Sequence, residues 1–177
     1  PGLIVDRYAD FLVVQFHTLG MDRFREEVVT ALVELLSPTG IYERSDVGTR
    51  RAEGMVEFPT GLIGGEEPPE LVEILENGCG FLVDLRRGQK TGFFLDQREN
   101  RLGLESFARG RDVLNCFSYS GGFSVYAARG NASRVTSVDV SETAIDLARQ
   151  NLELNGFSSD DHPCLADNVF DYLKACR

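Results

Sequence analysis

No apolar run in this 177-residue chain approaches the roughly 20 residues that a membrane-spanning helix needs. The start, Pro1-Gly2-Leu3-Ile4-Val5-Asp6, lacks the charged and apolar regions of a secretory signal. It also lacks an initiating methionine, so the reading is a piece of a longer chain, with a processed N-terminus as the alternative. Cysteines are few and scattered, at 79, 116, 164 and 176, and none forms a C-x-x-C. Only His17 and His162 could join them, which argues against a zinc site. Cysteine used this way indicates a reducing, cytoplasmic compartment. Cys116 is expected in a buried turn as a small hydrophobe.

Basic residues are also short, 18 against 28 acidic ones, for a net charge of −10. That balance argues against a nucleic-acid footprint over the whole surface. The shortage is uneven. Residues 86–111 carry Arg86, Arg87, Lys90, Arg98, Arg101, Arg109 and Arg111 against only Asp96, Glu99 and Glu105. Such a strip permits a polyanionic substrate, and a solvated helix face explains it equally well. Two nucleotide signatures are missing too. The dinucleotide fingerprint G-x-G-x-x-G is not met by the adjacent Gly121-Gly122, and Gly88-Gln89-Lys90-Thr91-Gly92 lacks phosphate-loop spacing.

What is present reads first as an α+β region. Leu3–Val5 and Phe11–Phe16 are β-rich runs. A helix is expected from Asp22 to Leu36, with Phe24, Val28, Ala31, Leu32, Leu35 and Leu36 on one face, ended by Ser37-Pro38-Thr39-Gly40. Ile41–Arg44 is another short strand, and Ser45–Pro69 reads as a polar, glycine-rich excursion. Leu71–Glu76 and Cys79–Leu85 are strands around an Asn77-Gly78 turn. Thr91–Leu95 is expected as one more strand, with Phe93 or Phe94 facing a core. A helix then runs from Asp96 to Ala108.

From Val113 the order changes to alternating strand and helix. Val113–Phe123 is a short apolar run ending in a glycine turn, followed by a helical pattern, a second apolar run Val135–Val138, and Asp139. That order is the first half of a nucleotide-cofactor site in a doubly wound sheet. Ser141 caps a helix to Leu154, Cys164–Ala166 is a third strand ending at Asp167, and a last helix covers Val169–Ala175. The fold class is therefore α/β: an α+β central domain over 1–95, then a truncated Rossmann-like domain over 96–177. Without phosphate-binding spacing, the turn suits S-adenosylmethionine (SAM), whose site needs close backbone approach and an acid for the ribose. An NAD-dependent oxidoreductase is the weaker alternative.

Three blocks sharpen this: Val113-Leu-Asn-Cys-Phe-Ser-Tyr-Ser-Gly-Gly-Phe123, Ser137-Val-Asp-Val-Ser141 and Ala148-Arg-Gln-Asn-Leu-Glu-Leu-Asn155. With Gly88-Gln-Lys-Thr-Gly-Phe-Phe-Leu-Asp-Gln-Arg98, they resemble the RlmI-type large-subunit rRNA methyltransferases across essentially the whole chain. The resemblance implies a class I SAM-dependent enzyme that methylates carbon 5 of a cytosine in large-subunit ribosomal RNA. It implies a preceding RNA-binding PUA domain, a central α+β domain and a Rossmann-like domain. It also implies an Asp-Pro-Pro motif and a later catalytic cysteine, neither of which the 177 residues supply. Carbon-5 chemistry needs a thiolate that adds to carbon 6 and a base that removes the carbon-5 proton. The expectation is a chain with much of the cofactor cleft and without the catalytic apparatus. The alternative is a non-catalytic RNA-binding or assembly module.

The cofactor-binding candidates follow. Asp139 is the ribose acceptor. Phe117, Ser118, Tyr119 and Gly121 line the methionine part, Asp167 lies beside adenine, and Asp96 and Arg98 face the cofactor or order the domain junction. For each there is a plainer reading: a strand-end acid, a tight turn with core aromatics, a helix cap, an ion pair at a helix start. Lys90, Arg50 and Arg51 are candidates for RNA phosphate or simply solvated charges.

Overall fold

Leu3–Tyr8 (β1) and Phe11–Phe16 (β2) pair antiparallel, Leu3 opposite Phe16, around a turn in which Ala9 is left-handed (φ 52°). The computed structural model describes residues 2–176. Thr18 accepts a hydrogen bond from the Met21 N–H and starts a helix, Leu19–Arg23 (α1). A second helix, Arg25–Leu36 (α2), follows. The single helix expected over 22–36 is therefore two, broken at Phe24 (φ −97°, ψ 21°). The break lets Arg25 reach both Asp22 and the buried Glu43. Ser37, left-handed at φ 44°, ends α2 where the sequence places the stop.

Gly40–Arg44 (β3) pairs parallel to β2. Thr49–Ala52 (α3) is a single turn of helix, and Thr60–Gly65 (β4) adds antiparallel to β3, giving the order β1-β2-β3-β4. The excursion expected over 45–69 thus contains an edge strand. Its sequence, Thr-Gly-Leu-Ile-Gly-Gly, has poor strand propensity, and the open edge of β3 overrides that preference. Leu12, Val14, Phe16 and Ile41 form the buried cluster beneath Val28, Val29 and Leu32 of α2. Each fully buried side chain of this kind contributes roughly 1.5–3 kcal/mol.

Val72–Glu76 (β5) and Cys79–Val83 (β6) form a two-stranded hairpin. Asn77 (φ 49°) and Gly78 (φ 82°) are both left-handed, as a two-residue turn matched to strand twist requires. Thr91–Leu95 is not a strand. Lys90 (φ 54°) and Gly92 (φ 132°) curl the backbone, and the Tyr8 hydroxyl accepts from the Phe93 N–H at 3.1 Å. Phe93 is the buried member of its pair. By internal contacts the chain divides into two units: residues up to Ile74 with Val83–Phe94, and Leu75–Leu82 with the residues from Leu95 onward. The hairpin tip, Leu75–Leu82, belongs to the second unit.

In that second unit a 3-10 turn, Leu95–Gln97, leads into Arg98–Ala108 (α4). Asp112–Cys116 (β7), Gly122–Arg129 (α5), Arg134–Asp139 (β8), Glu142–Leu154 (α6), Cys164–Ala166 (β9) and Val169–Ala175 (α7) alternate as expected. The three strands are parallel, in the order β7-β8-β9. Val125, Tyr126 and Ala127 of α5 are buried, as are Val135 and Val138 of β8 and Ile145, Ala148 and Leu152 of α6. No helix among the described residues is long and apolar enough to cross a membrane.

Candidate functional site

Register brings the carboxyl ends of the three strands together. Cys116 pairs with Val138, and Asp139 pairs with Ala166. Ligands in parallel α/β sheets bind at this end. Cys116 itself is half-buried and closes β7, rather than lying in a buried turn. Below the turn, the Asn115 Nδ2 donates to Ser124 Oγ at 2.9 Å, and Ser124 Oγ meets Ser137 Oγ at 2.7 Å. This buried chain ties β7, α5 and β8 together.

Between β7 and α5 the backbone alternates into left-handed conformation at Phe117 (φ 57°), Tyr119 (φ 47°) and Gly121 (φ 75°). The two non-glycine residues cost about 1–2 kcal/mol each. Neighbours hold them there. The Ser118 N–H donates to the Val138 carbonyl at 3.0 Å, and the Tyr119 N–H donates to Asp139 Oδ2 at 2.9 Å. The Gly121 N–H donates to the Ser118 carbonyl at 2.9 Å. Gly121 caps α5 and brings no side chain to cover the first N–H groups of the helix. A Cβ at Gly121 would lie 2.8 Å from the Ala148 Cβ. Ser118 and Ser120 are buried, yet their hydroxyls have no hydrogen-bond partner among the described residues. Unsatisfied buried hydroxyls are costly, and at a strained turn they point to a ligand that completes them.

Asp139 joins the pieces. It is 8% exposed. Its Oδ2 takes the Tyr119 N–H, its Oδ1 takes the Ser141 N–H at 3.0 Å, and its carbonyl accepts from the Asp167 N–H at 2.9 Å. The turn, Asp139 and Asp167 are thus one hydrogen-bonded group. Asp167 is exposed, and its Oδ1 accepts from the Asn168 N–H. The cap of α7 is Asn168, not Asp167. Phe117 is 62% exposed and meets Phe170 edge-to-face at 5.8 Å, so it is not a core aromatic. Tyr119 is half-buried.

Asp96 and Arg98 hydrogen-bond along their own segment, Asp96 with Gln97 and Arg98 with Glu99. Asp96 lies in the 3-10 turn just ahead of α4, and Arg98 is the first residue of α4. Arg101 of α4 sits 6.0 Å from the Phe123 ring at the start of α5, while Glu105 pairs with Arg129 near the end of α5. The two helices therefore run in the same direction, and Arg98 starts α4 at the end where the glycine turn starts α5. Arg101 is itself buried in a two-point ion pair with Glu76. Tyr126 donates to the same carboxylate at 3.0 Å, and burial together with that hydrogen bond pushes its hydroxyl up to about 12.

Sequence reasoning missed several placements. Arg50 is neither a solvated charge nor a phosphate contact. It is 1% exposed and donates to Asp22 Oδ1 and to the Phe16 carbonyl. Arg51 stacks over Phe58 and Lys90 over Phe94. Asn151 and Asn155 lie in a block that the sequence marks without assigning a role, and both prove to be buried or half-buried hydrogen-bonding side chains.

A model of the S-adenosylmethionine-dependent methyltransferase family matches residues 51–176. The chain belongs to this family. It is 50% identical over 177 residues to ribosomal RNA large subunit methyltransferase I of Aeromonas salmonicida, covering all of this chain and 44% of that protein. A SAM-dependent methyltransferase assigned in Streptococcus mutans superposes with a TM-score of 0.85 at 36% identity, over 99% of this chain and 45% of that one. SMU.776, assigned as a methyltransferase and solved with SAH, superposes at 0.86 and 35% identity, over 99% and 44%. The chain thus spans less than half the length of these relatives.

The turn fits the family's cofactor. Gly121 packs directly on Ala148, where a Cβ would not fit, and this holds the turn close against α6. The start of α5 suits a carboxylate, and Ser118 and Ser120 offer hydroxyls that need partners.

Proposed function

We propose that this chain is the SAM-holding portion of a large-subunit rRNA methyltransferase that modifies carbon 5 of a cytosine. One observation carries the reading. The glycine turn presents two buried, unpartnered hydroxyls while bonded to Asp139, in a chain 50% identical throughout to an rRNA large-subunit methyltransferase. Bound there, SAM would supply an electrophilic methyl group. Phe117, Ser118, Tyr119 and Gly121 hold its methionine part. The oxygens of Asp139 accept from the ribose hydroxyls in addition to the two backbone N–H groups they already take. Asp167 meets adenine, and Asp96 and Arg98 close the same end of the unit.

The division into a central α+β domain (1–95) and the first part of a Rossmann-like class I domain (96–177) belongs to the same proposal, as does a cytoplasmic location beside ribosomal RNA. We assign no catalytic nucleophile among the four cysteines. Burial pushes the Cys79 and Cys164 thiols up, away from the thiolate that carbon-5 chemistry needs. This chain's share of the reaction is to bind and orient the cofactor.

Calorimetric titration of the 177-residue chain with SAH tests the reading directly. Saturable binding is expected, weakened by Asp139→Asn. A chain folded by circular dichroism that shows no binding at millimolar SAH would overturn the cofactor assignment. If that chain bound rRNA fragments in a salt-dependent way, the result would favour the non-catalytic RNA-binding module.

A further inference from the structure

Asn151 on α6 and Asn155, which caps the C-terminus of α6, stand four residues apart and so share a face. That face meets the hairpin tip within the same unit. The Gly80 N–H donates to Asn155 Oδ1 at 3.0 Å, and Asn155 Nδ2 donates back to the Gly80 carbonyl at 2.8 Å. The Leu82 N–H donates to Asn151 Oδ1 at 2.7 Å. Gly80 and Leu82 are alternate residues of β6, so these bonds lie along one edge of the strand. Two side-chain amides thus do for β6 what a neighbouring strand would do.

Asn151 reaches beyond the hairpin, as Asn155 does not. Its Nδ2 donates to the Ser120 carbonyl at 2.9 Å, inside the glycine turn. The Ser120–Gly121 peptide is therefore held at both ends: its oxygen by Asn151 and its N–H by the Ser118 carbonyl. The plane of that peptide sets the left-handed φ of Gly121 and aims the Ser120 hydroxyl. Asn151 is 0% exposed, so no water replaces the bond if it is lost. Each amide oxygen faces an N–H and each amide nitrogen faces a carbonyl, which fixes both orientations.

We infer that Asn151 is a positioning residue for SAM: it couples the hairpin tip to the cofactor turn, while Asn155 only anchors the hairpin. The inference rests on the cofactor reading above. Asn151→Asp keeps the acceptor for the Leu82 N–H and removes the donor to Ser120. Asn155→Asp keeps the acceptor for the Gly80 N–H and removes the donor to the Gly80 carbonyl. Asn155→Asp therefore loosens the hairpin and spares the turn, whereas Asn151→Asp keeps its hairpin bond and loses only the bond to the turn. Asn151→Ala and Asn155→Ala form a second pair without the buried carboxylate.

In the 177-residue chain, Asn151→Asp is expected to weaken SAH binding by about tenfold, the equivalent of one hydrogen bond. It also speeds amide exchange over residues 118–122. Asn155→Asp lowers the melting temperature comparably and leaves the SAH affinity within about twofold. Equal weakening by both, or none by Asn151→Asp, overturns the inference; the alanine pair decides if an aspartate variant does not fold. Failure of the unsubstituted chain to bind SAH overturns the cofactor reading instead. Amide exchange then decides the role of Asn151, and unchanged exchange in both Asn151 variants rejects it.

Discussion

Two strand-to-helix connections lie side by side at the carboxyl end of the parallel sheet, β7 to α5 and β8 to α6. After β8 the chain makes an ordinary entry. Ser141 is extended (φ −86°, ψ 113°), its hydroxyl accepts from the Ala144 N–H, and its own N–H goes to Asp139. After β7 nothing is ordinary. Three alternate residues are left-handed, the helix has no side-chain cap, and two buried hydroxyls have no partner among the described residues. The first connection is complete as it stands. The second is held in shape by its neighbours and left open, as expected where a ligand supplies the missing partners. Asp139 serves both, with one carboxylate oxygen for each.

Gly121→Ala should break the comparison most severely. The added Cβ meets Ala148 in a backbone conformation that side chains resist, so a stability loss of about 2–5 kcal/mol is expected. Urea unfolding reads that loss, and SAH binding should vanish even where the variant remains folded. Next comes Asp139→Asn, which leaves one oxygen for two N–H donors. Roughly 1.5–3 kcal/mol of stability should go, because both bonds are to a charged acceptor. SAH affinity should fall by more than that of any substitution in the β8–α6 connection. Ser141→Ala removes only a cap, worth about 1 kcal/mol. Calorimetry should find SAH binding unchanged; a large loss would erase the distinction between the two connections.

The smallest effect concerns the opposite end of β8. His162 Nδ1 accepts from the Val135 N–H, and burial pushes the imidazole below its ordinary 6.5. The unfolded chain therefore takes up a proton that the folded chain refuses. Stability that is full above pH 6.5 should decline as the pH falls below it. His17 shifts in the same direction, so the comparison is with His162→Asn, which keeps His17. Denaturation midpoints between about pH 7.5 and 5.5 should fall more steeply in the unsubstituted chain. SAH affinity should not follow that slope.

The alternating half of the chain was legible because its signals are local. Ser141 carries its own cap, and the apolar runs before and after the glycine turn mark parallel strands; in the preceding region Asn77-Gly78 likewise carries its own turn geometry. Where distant partners decide, reading along the chain failed. β4 exists because β3 has an open edge, not because Thr-Gly-Leu-Ile-Gly-Gly favours extension. Thr91–Leu95 has strand composition, yet Tyr8, more than eighty residues away, bonds to a curled backbone instead. The helix over 22–36 breaks at Phe24, next to Arg25, which pairs with Glu43 of β3. Arg50 looks like a surface charge until Asp22 and the Phe16 carbonyl enclose it.

The candidate site divides the same way. By itself the sequence determined the order strand, glycine turn, helix, strand, acid, since each step depends on a few neighbouring residues. Only the tertiary structure decided that Asp139 grips the Tyr119 N–H, that Ser118 and Ser120 are buried without partners, and that Asn151 links the Ser120 carbonyl to Leu82 sixty-nine residues away. Backbone preference reaches only a few residues along a chain. A side-chain amide or carboxylate is oriented by whatever donors and acceptors folding places beside it, and those come from anywhere in the sequence.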